Sequence, residues 1–313
     1  MSVKVVFWGS PDFAVPSLQA LLDNRHQIVS VVTRPDRPAG RGRNLRRTAV
    51  KNKALNYDLS ILEPESPSDG EFLRALGKSG ADVCVVVAYG KKLPRPILEM
   101  FPLGCINVHA SLLPSLRGAA PINWAIIKGF KTSGVTVMRM VDEMDAGPIL
   151  MQSQEEIGVS ETAFELETRL AVSGARALTE VLESIESGSI KSREQDESMV
   201  TYAPKINKSV ARIDWSQEAT VIANMIRGMD KIPGAWSLLQ GNPTKLFNAI
   251  PSLTSVTGSL PGTVLDANDM SGLRVATGQG ALEIGEVQPS GKKRMSATSW
   301  IRGRGTEVGQ RFQ

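Results

Sequence analysis

Asn107 and His109 are the residues whose types and spacing best suit catalysis. They lie in CINVHASLLPSLRGAAPINW, residues 105–124, which opens on an apolar run. Residues two apart on a β-strand share a face, so both side chains would project near the carboxyl end of a strand, where open α/β sheets bind ligands. An Asn amide can donate to a developing oxyanion, and His can donate or transfer a proton. The pair favours acyl transfer, although a histidine at a strand end can also be purely structural.

The elements that must position this pair begin with a strand, a turn and a helix. Residues 4–8 form a short apolar run, Gly9-Ser10-Pro11 interrupts it, and residues 14–22 have helical spacing before a second apolar run at 28–33. This order predicts a right-handed parallel crossover, the repeating unit of doubly wound sheets. We therefore expect an α/β first domain with a Rossmann-like parallel sheet.

Four further apolar runs predict the rest of this sheet: residues 82–88, 105–110, 134–141 and 149–157. The first two are almost continuously apolar, which is typical of central strands covered on both faces. The turn between the last two contains Asp142, Asp145 and Gly147.

The second half of the chain predicts one long helix and then a β-rich domain. Residues 162–187 carry leucines four apart, and Thr162 and Glu165 have the spacing of a capping box. Short apolar runs punctuated by Gly and Pro after residue 229 are typical of a small antiparallel barrel. We expect a first domain at 1–189, a linker at 190–208 and a second domain at 209–313.

Several classes of protein are disfavoured by residues that the sequence lacks. The turn after the first strand has Gly9 but not the other glycines of a dinucleotide site. No CxxC pair, HExxH motif or Walker lysine loop occurs, so we expect no metal. Cys84 and Cys105 lie in apolar runs and are predicted to be buried thiols. No run is apolar over the roughly 20 residues of a membrane span, which predicts a cytoplasmic protein.

Positive charge is concentrated in two stretches of the chain. Residues 34–53 hold eight Lys or Arg against one acid, and residues 291–313 hold six against one acid, whereas the net charge of the whole chain is +4. Such clustering indicates contacts with a polyanion such as nucleic acid. The alternative is two solvated basic segments without a partner.

The segment HASLLPSLRGAAPINWAI, with Asn107 before it and MDAGPIL after it, resembles the folate-dependent formyltransferases. Members of that family transfer a formyl group from 10-formyltetrahydrofolate to an amine. The resemblance implies a Rossmann-like catalytic domain followed by an OB-like β-barrel, and a monomer. It assigns catalysis to Asn107, His109 and Asp145. It assigns folate binding to Ser111, Leu112, Leu113 and Pro114.

Two further segments resemble the members of that family that act on methionyl-tRNA. PDRPAGRG at 35–42 is similar to their basic loop, and TYAPKINKSVARIDW at 201–215 is similar to the entry to their C-terminal domain. The resemblance implies initiator methionyl-tRNA as the acceptor. The arginines expected to face its phosphates are Arg37, Arg41, Arg43, Arg46 and Arg47.

Two alternatives stay open at this point. A formyltransferase for glycinamide ribonucleotide or an amino sugar would keep Asn107, His109 and Asp145, but would not need the basic loop. The turn from Val141 to Asp145 is one residue shorter than is common in the family, so Asp142 is an alternative to Asp145.

Overall fold

The computed structural model describes residues 3–39, 44–252 and 258–313. Contacts between residues divide the chain into two compact units. Unit 1 comprises Met1–Gly118, Ser133–Glu155 and Glu167–Tyr202, and unit 2 comprises Ala119–Thr132, Glu156–Leu166 and Ala203–Gln313. Residues 190–202, which belong to the expected linker, thus cluster with unit 1.

The strands, in chain order, are β1 (Lys4–Gly9), β2 (Gln27–Val32), β3 (Arg37–Ala39), β4 (Asn44–Arg46), β5 (Ile61–Leu62), β6 (Val83–Val87), β7 (Cys105–His109), β8 (Thr132–Arg139), β9 (Ile149–Glu156), β10 (Trp236–Leu239), β11 (Asn242–Ser252), β12 (Val264–Asn268), β13 (Gly272–Ala276), β14 (Ala281–Pro289) and β15 (Met295–Ser296). The α-helices are α1 (Val15–Asp23), α2 (Ala49–Leu55), α3 (Gly70–Gly77), α4 (Arg95–Leu98), α5 (Pro121–Ile127), α6 (Ala163–Glu186), α7 (Ala219–Gly228) and α8 (Ala297–Arg302).

Unit 1 is built on a seven-stranded sheet with the order β5-β2-β1-β6-β7-β8-β9. β1 pairs in parallel with β2 and β6, and β6 pairs in parallel with β7, as the apolar runs predict. Every residue of β6 is buried, which confirms its predicted central place. The sheet is not parallel throughout, because β8 runs antiparallel to β7. Thr136 lies opposite His109, and Arg139 lies opposite Ile106.

The long helix α6 begins with the predicted capping box. Thr162 N–H donates to Glu165 Oε2 at 2.9 Å, and Glu165 N–H donates to Thr162 Oγ1 at 3.3 Å. Together these bonds satisfy two amides that the first helical turn leaves without partners. The predicted stripe is fully buried at Leu166, Leu170, Leu178 and Leu182. Along the described stretches of the chain, no helix has the length and apolarity needed to cross a bilayer.

The two cysteines lie opposite each other in adjacent strands. Cys84 of β6 pairs in register with Cys105 of β7, and both are buried free thiols, as predicted. Burial raises the pKa of the Cys84 thiol well above its usual value, so it stays protonated.

Unit 2 is an antiparallel sheet with the order β10-β11-β14-β13-β12, and β15 pairs with β14. The last residues of the chain join its two edges. Gln313 exchanges backbone hydrogen bonds with Leu238 of β10, while Phe312 N–H donates to Gly262 O and Val264 N–H of β12 donates to Gln310 O. Both edge strands are therefore paired, which closes the sheet into the predicted barrel. Trp215, Leu246 and Phe312 are among the side chains of its buried core.

Candidate active site

Asn107 and His109 lie on one face of β7, as their spacing predicts. β7 is held between β6 and β8, so its backbone is hydrogen-bonded on both sides. Asn107 is partly exposed, and no group of the described residues forms a hydrogen bond with its side-chain amide. His109 is buried, with 7% of its surface exposed. The amide is thus available to a ligand, whereas the imidazole is held by the protein.

Both ring nitrogens of His109 face acceptors. Nε2 lies 3.0 Å from the carbonyl oxygen of Leu116, and Nδ1 lies 3.7 Å from Asp145 Oδ2. The second distance is long for a hydrogen bond but suits an ion pair when the ring is protonated. An imidazolium can donate at both nitrogens, so its charge would lie between a carbonyl dipole and a carboxylate.

The structure distinguishes the two candidate carboxylates. Asp145 Oδ2 accepts a hydrogen bond from Gly118 N–H at 2.8 Å, and the Asp145 side chain is only 14% exposed beside His109. Asp142 is 68% exposed and pairs with Lys92 at 2.7 Å, and that lysine lowers the pKa of the Asp142 carboxyl. Asp145, not Asp142, therefore lies next to the imidazole in the short turn.

The loop after β7 contains the four residues predicted to bind folate. Thr136 of β8 holds this loop, because its hydroxyl donates to Ser111 O at 2.6 Å and accepts from Leu113 N–H at 3.1 Å. Ser111 and Leu113 are buried, while Leu112 and Pro114 are half-buried. The side chains of this loop that remain open to a ligand are thus those of Leu112 and Pro114.

The basic segment forms an exposed hairpin of β3 and β4, in which Arg37 lies opposite Arg46. Arg37 pairs with Glu65 at 2.7 Å, but both side chains are mostly exposed, so this ion pair is weak and replaceable. Arg46 and Arg47 are exposed to solvent. Two of the five predicted arginines, Arg41 and Arg43, lie outside the described residues.

Lys51 belongs to the same basic segment but supports the hairpin. Its Nζ lies 2.9 Å from Asp36 Oδ2 and 2.8 Å from Glu63 Oε2. The hydrogen bond to Glu63, followed by that to Asp36, raises the pKa of Lys51 despite its partial burial. Because Asp36 immediately precedes β3, this cluster fixes the base of the hairpin.

The second basic stretch is partly neutralised within unit 2. Arg294 pairs with Asp230 at 2.8 Å and with Glu286 at 2.6 Å, and Arg302 pairs with Asp269 at 2.9 Å. Arg294 is thus engaged within the barrel, whereas the exposed pair of Arg302 is weak, so the stretch offers one free positive charge fewer than its composition indicates.

Two features of the site were not singled out from the sequence. Gln195, from the expected linker, donates to the carbonyl oxygens of Asp145 and Gly147, both at 2.8 Å. Arg117 is buried and bonded to Gln195. The sequence offered one signal for Arg117, since it lies within the motif that carries the family resemblance. No metal-binding group of three His, Cys, Asp or Glu side chains occurs in the ranges that the structure describes.

Comparison with known proteins gives the family of the chain. Residues 1–182 match the family model described as formyl transferase, and residues 205–305 match the model of the formyl transferase C-terminal domain.

This chain belongs to the formyl transferase family.

Named formyltransferases are similar to it over nearly their whole length. The methionyl-tRNA formyltransferase of Desulfotalea psychrophila is 45% identical, over 96% of this chain and 93% of that protein. The methionyl-tRNA formyltransferase of Alkaliphilus oremlandii is 42% identical, over 98% of each.

Solved structures extend the likeness to the fold. WlaRD, a sugar 3N-formyl transferase, matches with a TM-score of 0.66 at 20% identity, over 94% of this chain and 100% of that one. HypX from Aquifex aeolicus, solved in complex with tetrahydrofolic acid, matches with a TM-score of 0.68 at 19% identity. The match covers 98% of this chain but 48% of HypX, so the chain spans about half the length of that protein.

Proposed function

We propose that this formyl transferase moves the formyl group of 10-formyltetrahydrofolate to the amino group of methionine on initiator methionyl-tRNA. The product is N-formylmethionyl-tRNA, which serves translation initiation. The observation that carries the proposal is the placement of His109 beside Asp145 and on the same strand face as Asn107. The near full-length similarity to methionyl-tRNA formyltransferases supports this choice of acceptor.

The proposed chemistry follows from the charge that develops during transfer. The methionyl amine attacks the formyl carbon and loses a proton, while negative charge builds on the formyl oxygen. The charge then returns to the carbonyl as the bond between the formyl carbon and N10 breaks, and tetrahydrofolate leaves with a proton on N10. Asn107 donates to that oxygen through its unengaged amide, and protonated His109 does so after exchanging its bond to Leu116 O for the substrate. Asp145 faces the other ring nitrogen and orients His109, and it accepts the amine proton through water.

The loop after β7 suits the flat rings of a folate. Leu112 and Pro114 offer half-buried apolar surface next to His109, while Ser111 and Leu113 hold the loop in place through Thr136. We assign the donor to this loop because the formyl carbon must come within reach of Asn107 and His109. Preformed sites of this kind place apolar walls around a few polar groups.

The β3–β4 hairpin is the proposed contact for the acceptor stem of the tRNA. Arg46 and Arg47 are exposed, and Arg37 can exchange its weak pair with Glu65 for a phosphate. We place Arg41 and Arg43 in the same contact from the sequence. The C-terminal barrel, residues 209–313, contributes further contacts with the tRNA. We take the enzyme to act as a monomer in the cytoplasm.

The substrate assignment is tested by incubating the purified chain with 10-formyltetrahydrofolate and charged initiator tRNA. The expected product is N-formylmethionine, recovered after deacylation of the tRNA. Parallel reactions offer glycinamide ribonucleotide or an amino sugar nucleotide as the acceptor. Formylation of a small amine without formylation of the tRNA would contradict the proposal.

A further inference from the structure

Every hydrogen-bonding position of the Gln195 amide is occupied, and its two donated bonds hold the Asp145 turn. Nε2 donates to Asp145 O and Gly147 O, both at 2.8 Å. Oε1 accepts from Arg117 Nη2 at 2.8 Å and from Arg117 Nε at 3.1 Å. Two donated and two accepted bonds exhaust the capacity of a Gln amide. Its orientation is also determined, because the reverse orientation would place its NH2 group against a guanidinium.

Arg117, which supports Gln195, is itself buried and bonded. It is only 4% exposed, and besides Gln195 it pairs with Glu197 at 2.7 Å, whose side chain is 72% exposed. A buried guanidinium is stable only when its donors have partners, so it favours conformations that keep Gln195 in place. The next residue, Gly118, donates its N–H to Asp145 Oδ2 at 2.8 Å. Arg117 therefore links the loop after β7 to the Asp145 turn.

The segment that carries Gln195 is fastened at both ends. Arg193 exchanges backbone hydrogen bonds with Ile149 at the start of β9, at 2.8 and 2.9 Å. Thr201 Oγ1 accepts from Leu116 N–H at 2.9 Å, and Thr201 O accepts from Arg117 N–H at 2.9 Å. Residues 193–202 thus cross from β9 to the loop after β7, and Gln195 meets the Asp145 turn between these two attachments.

The turn itself needs such support. Asp145 adopts a left-handed backbone conformation, with φ +54°, which residues other than glycine rarely adopt. A Cβ at Gly147 would overlap the carbonyl oxygen of Arg139, so the turn passes close to the end of β8. The Gln195 amide bonds the carbonyls of these two residues, and this stabilises the conformation that directs the Asp145 side chain at His109.

We propose that Gln195, oriented by Arg117, is a positioning residue that keeps the Asp145 carboxylate beside His109. The inference rests on the proposed formyl transfer, in which Asp145 acts on His109. Gln195 itself touches no reacting atom in this account. Displacement of a catalytic group by about 1 Å can lower turnover by about 10²-fold, so loosening the turn should reach the chemistry.

The test compares Gln195→Met with Glu197→Gln. Methionine keeps the length of glutamine but makes none of its hydrogen bonds. The control removes the charge of the exposed partner of Arg117 and leaves Gln195 in place. For Gln195→Met we expect kcat to fall about 10- to 100-fold, with KM for tRNA and for 10-formyltetrahydrofolate within about threefold. For Glu197→Gln we expect both constants within about threefold, because the Gln side-chain oxygen can still accept from Arg117 and the carboxylate it replaces is largely solvated.

A second measurement distinguishes positioning from a general loss of structure. In an Asp145→Asn background, Gln195→Met should lower kcat by less than about threefold further, because the group it positions is already disabled. Independent, multiplicative reductions would overturn the proposal, as would an unchanged kcat in the single variant.

Amide hydrogen exchange gives a readout that does not need activity. In Gln195→Met, exchange should accelerate at Gly118, whose N–H donates to the Asp145 carboxylate, with the remainder of unit 1 unchanged; in Glu197→Gln it should not. If the wild-type enzyme made no N-formylmethionine, the proposed function would fail, and exchange would still decide whether Gln195 holds the turn. Unchanged exchange at Gly118 would refute that role.

Discussion

The carboxylate of Asp145 lies 3.7 Å from Nδ1 of His109, and both side chains are largely shielded from water. In such surroundings a charge is screened less than at the surface, so the carboxylate can act strongly on the orientation of the ring. The rest of the local structure maintains this relationship. Leu116 O engages the other ring nitrogen, and Gly118 N–H engages the carboxylate.

Replacing Asp145 by Asn should separate charge from geometry. The side-chain oxygen of Asn can still accept from Gly118 N–H, but the negative charge opposite His109 is removed. We expect kcat for formyl transfer to fall by on the order of 10²-fold or more, the usual scale for loss of acid–base assistance. The control is Asp142→Asn, which breaks only an exposed pair with Lys92 and should change kcat less than twofold. Equal reductions in the two variants would argue against the assignment of Asp145.

The basic hairpin should control tRNA use without controlling chemistry. Arg46→Gln with Arg47→Gln should raise KM for the tRNA and leave kcat at saturation nearly unchanged. For each phosphate that the variant no longer neutralises, the slope of log affinity against log salt should become shallower by roughly 0.7 to 0.9. Binding measured from low to moderate salt gives this slope. Lys78→Gln, which removes an exposed positive charge outside both the hairpin and the barrel, is the control. If the slope of log affinity against log salt were the same in the hairpin variant and the wild type, the hairpin would not belong to the tRNA interface.

Tyr89 should make the protein sensitive to alkali. Burial raises the pKa of Tyr89 to about 12, and its hydroxyl has no hydrogen-bond partner in the described structure. The unfolded chain loses this proton near pH 10, before the folded chain does, so stability falls as pH rises from about 10 to about 12. At pH 11 the reduction in stability is about 1.4 kcal/mol.

Tyr89→Phe should remove this loss of stability at high pH. The variant should be as stable as wild type at pH 8 and more stable at pH 11, as measured by urea unfolding at both values. Other groups that titrate in alkali, including Lys51, affect both proteins equally, so the difference between the two isolates Tyr89. The same pH dependence in both proteins would show that this phenol is not buried as described.

The sequence predicted those parts of the fold that depend on local patterns. The buried strand β6 follows from a continuous apolar run, and the start of α6 follows from the spacing of Thr162 and Glu165. The shared face of Asn107 and His109 follows from the period of a strand. Each of these signals is contained within a few residues, so contacts with distant parts of the chain did not change the predicted local structure.

Features set by distant residues could not be predicted in this way. Hydrophobicity alone does not give the direction of β8, which runs antiparallel to β7. The choice between the two aspartates depends on the path of the turn, which places Asp145 beside His109 and Asp142 at the surface next to Lys92. Gln195 lies in a polar stretch without periodicity, and its role depends on carbonyls about 50 residues earlier in the chain.

The single-turnover rate of formyl transfer to charged initiator tRNA, compared between wild type and Asn107→Ala, tests the central claim most directly. No described group bonds to the Asn107 amide, so the substitution should leave the stability of the free protein almost unchanged. Loss of one donor to the developing oxyanion should slow transfer by on the order of 10² to 10³, about 3 to 4 kcal/mol. A rate within about threefold of wild type would contradict the proposed role of this strand in catalysis.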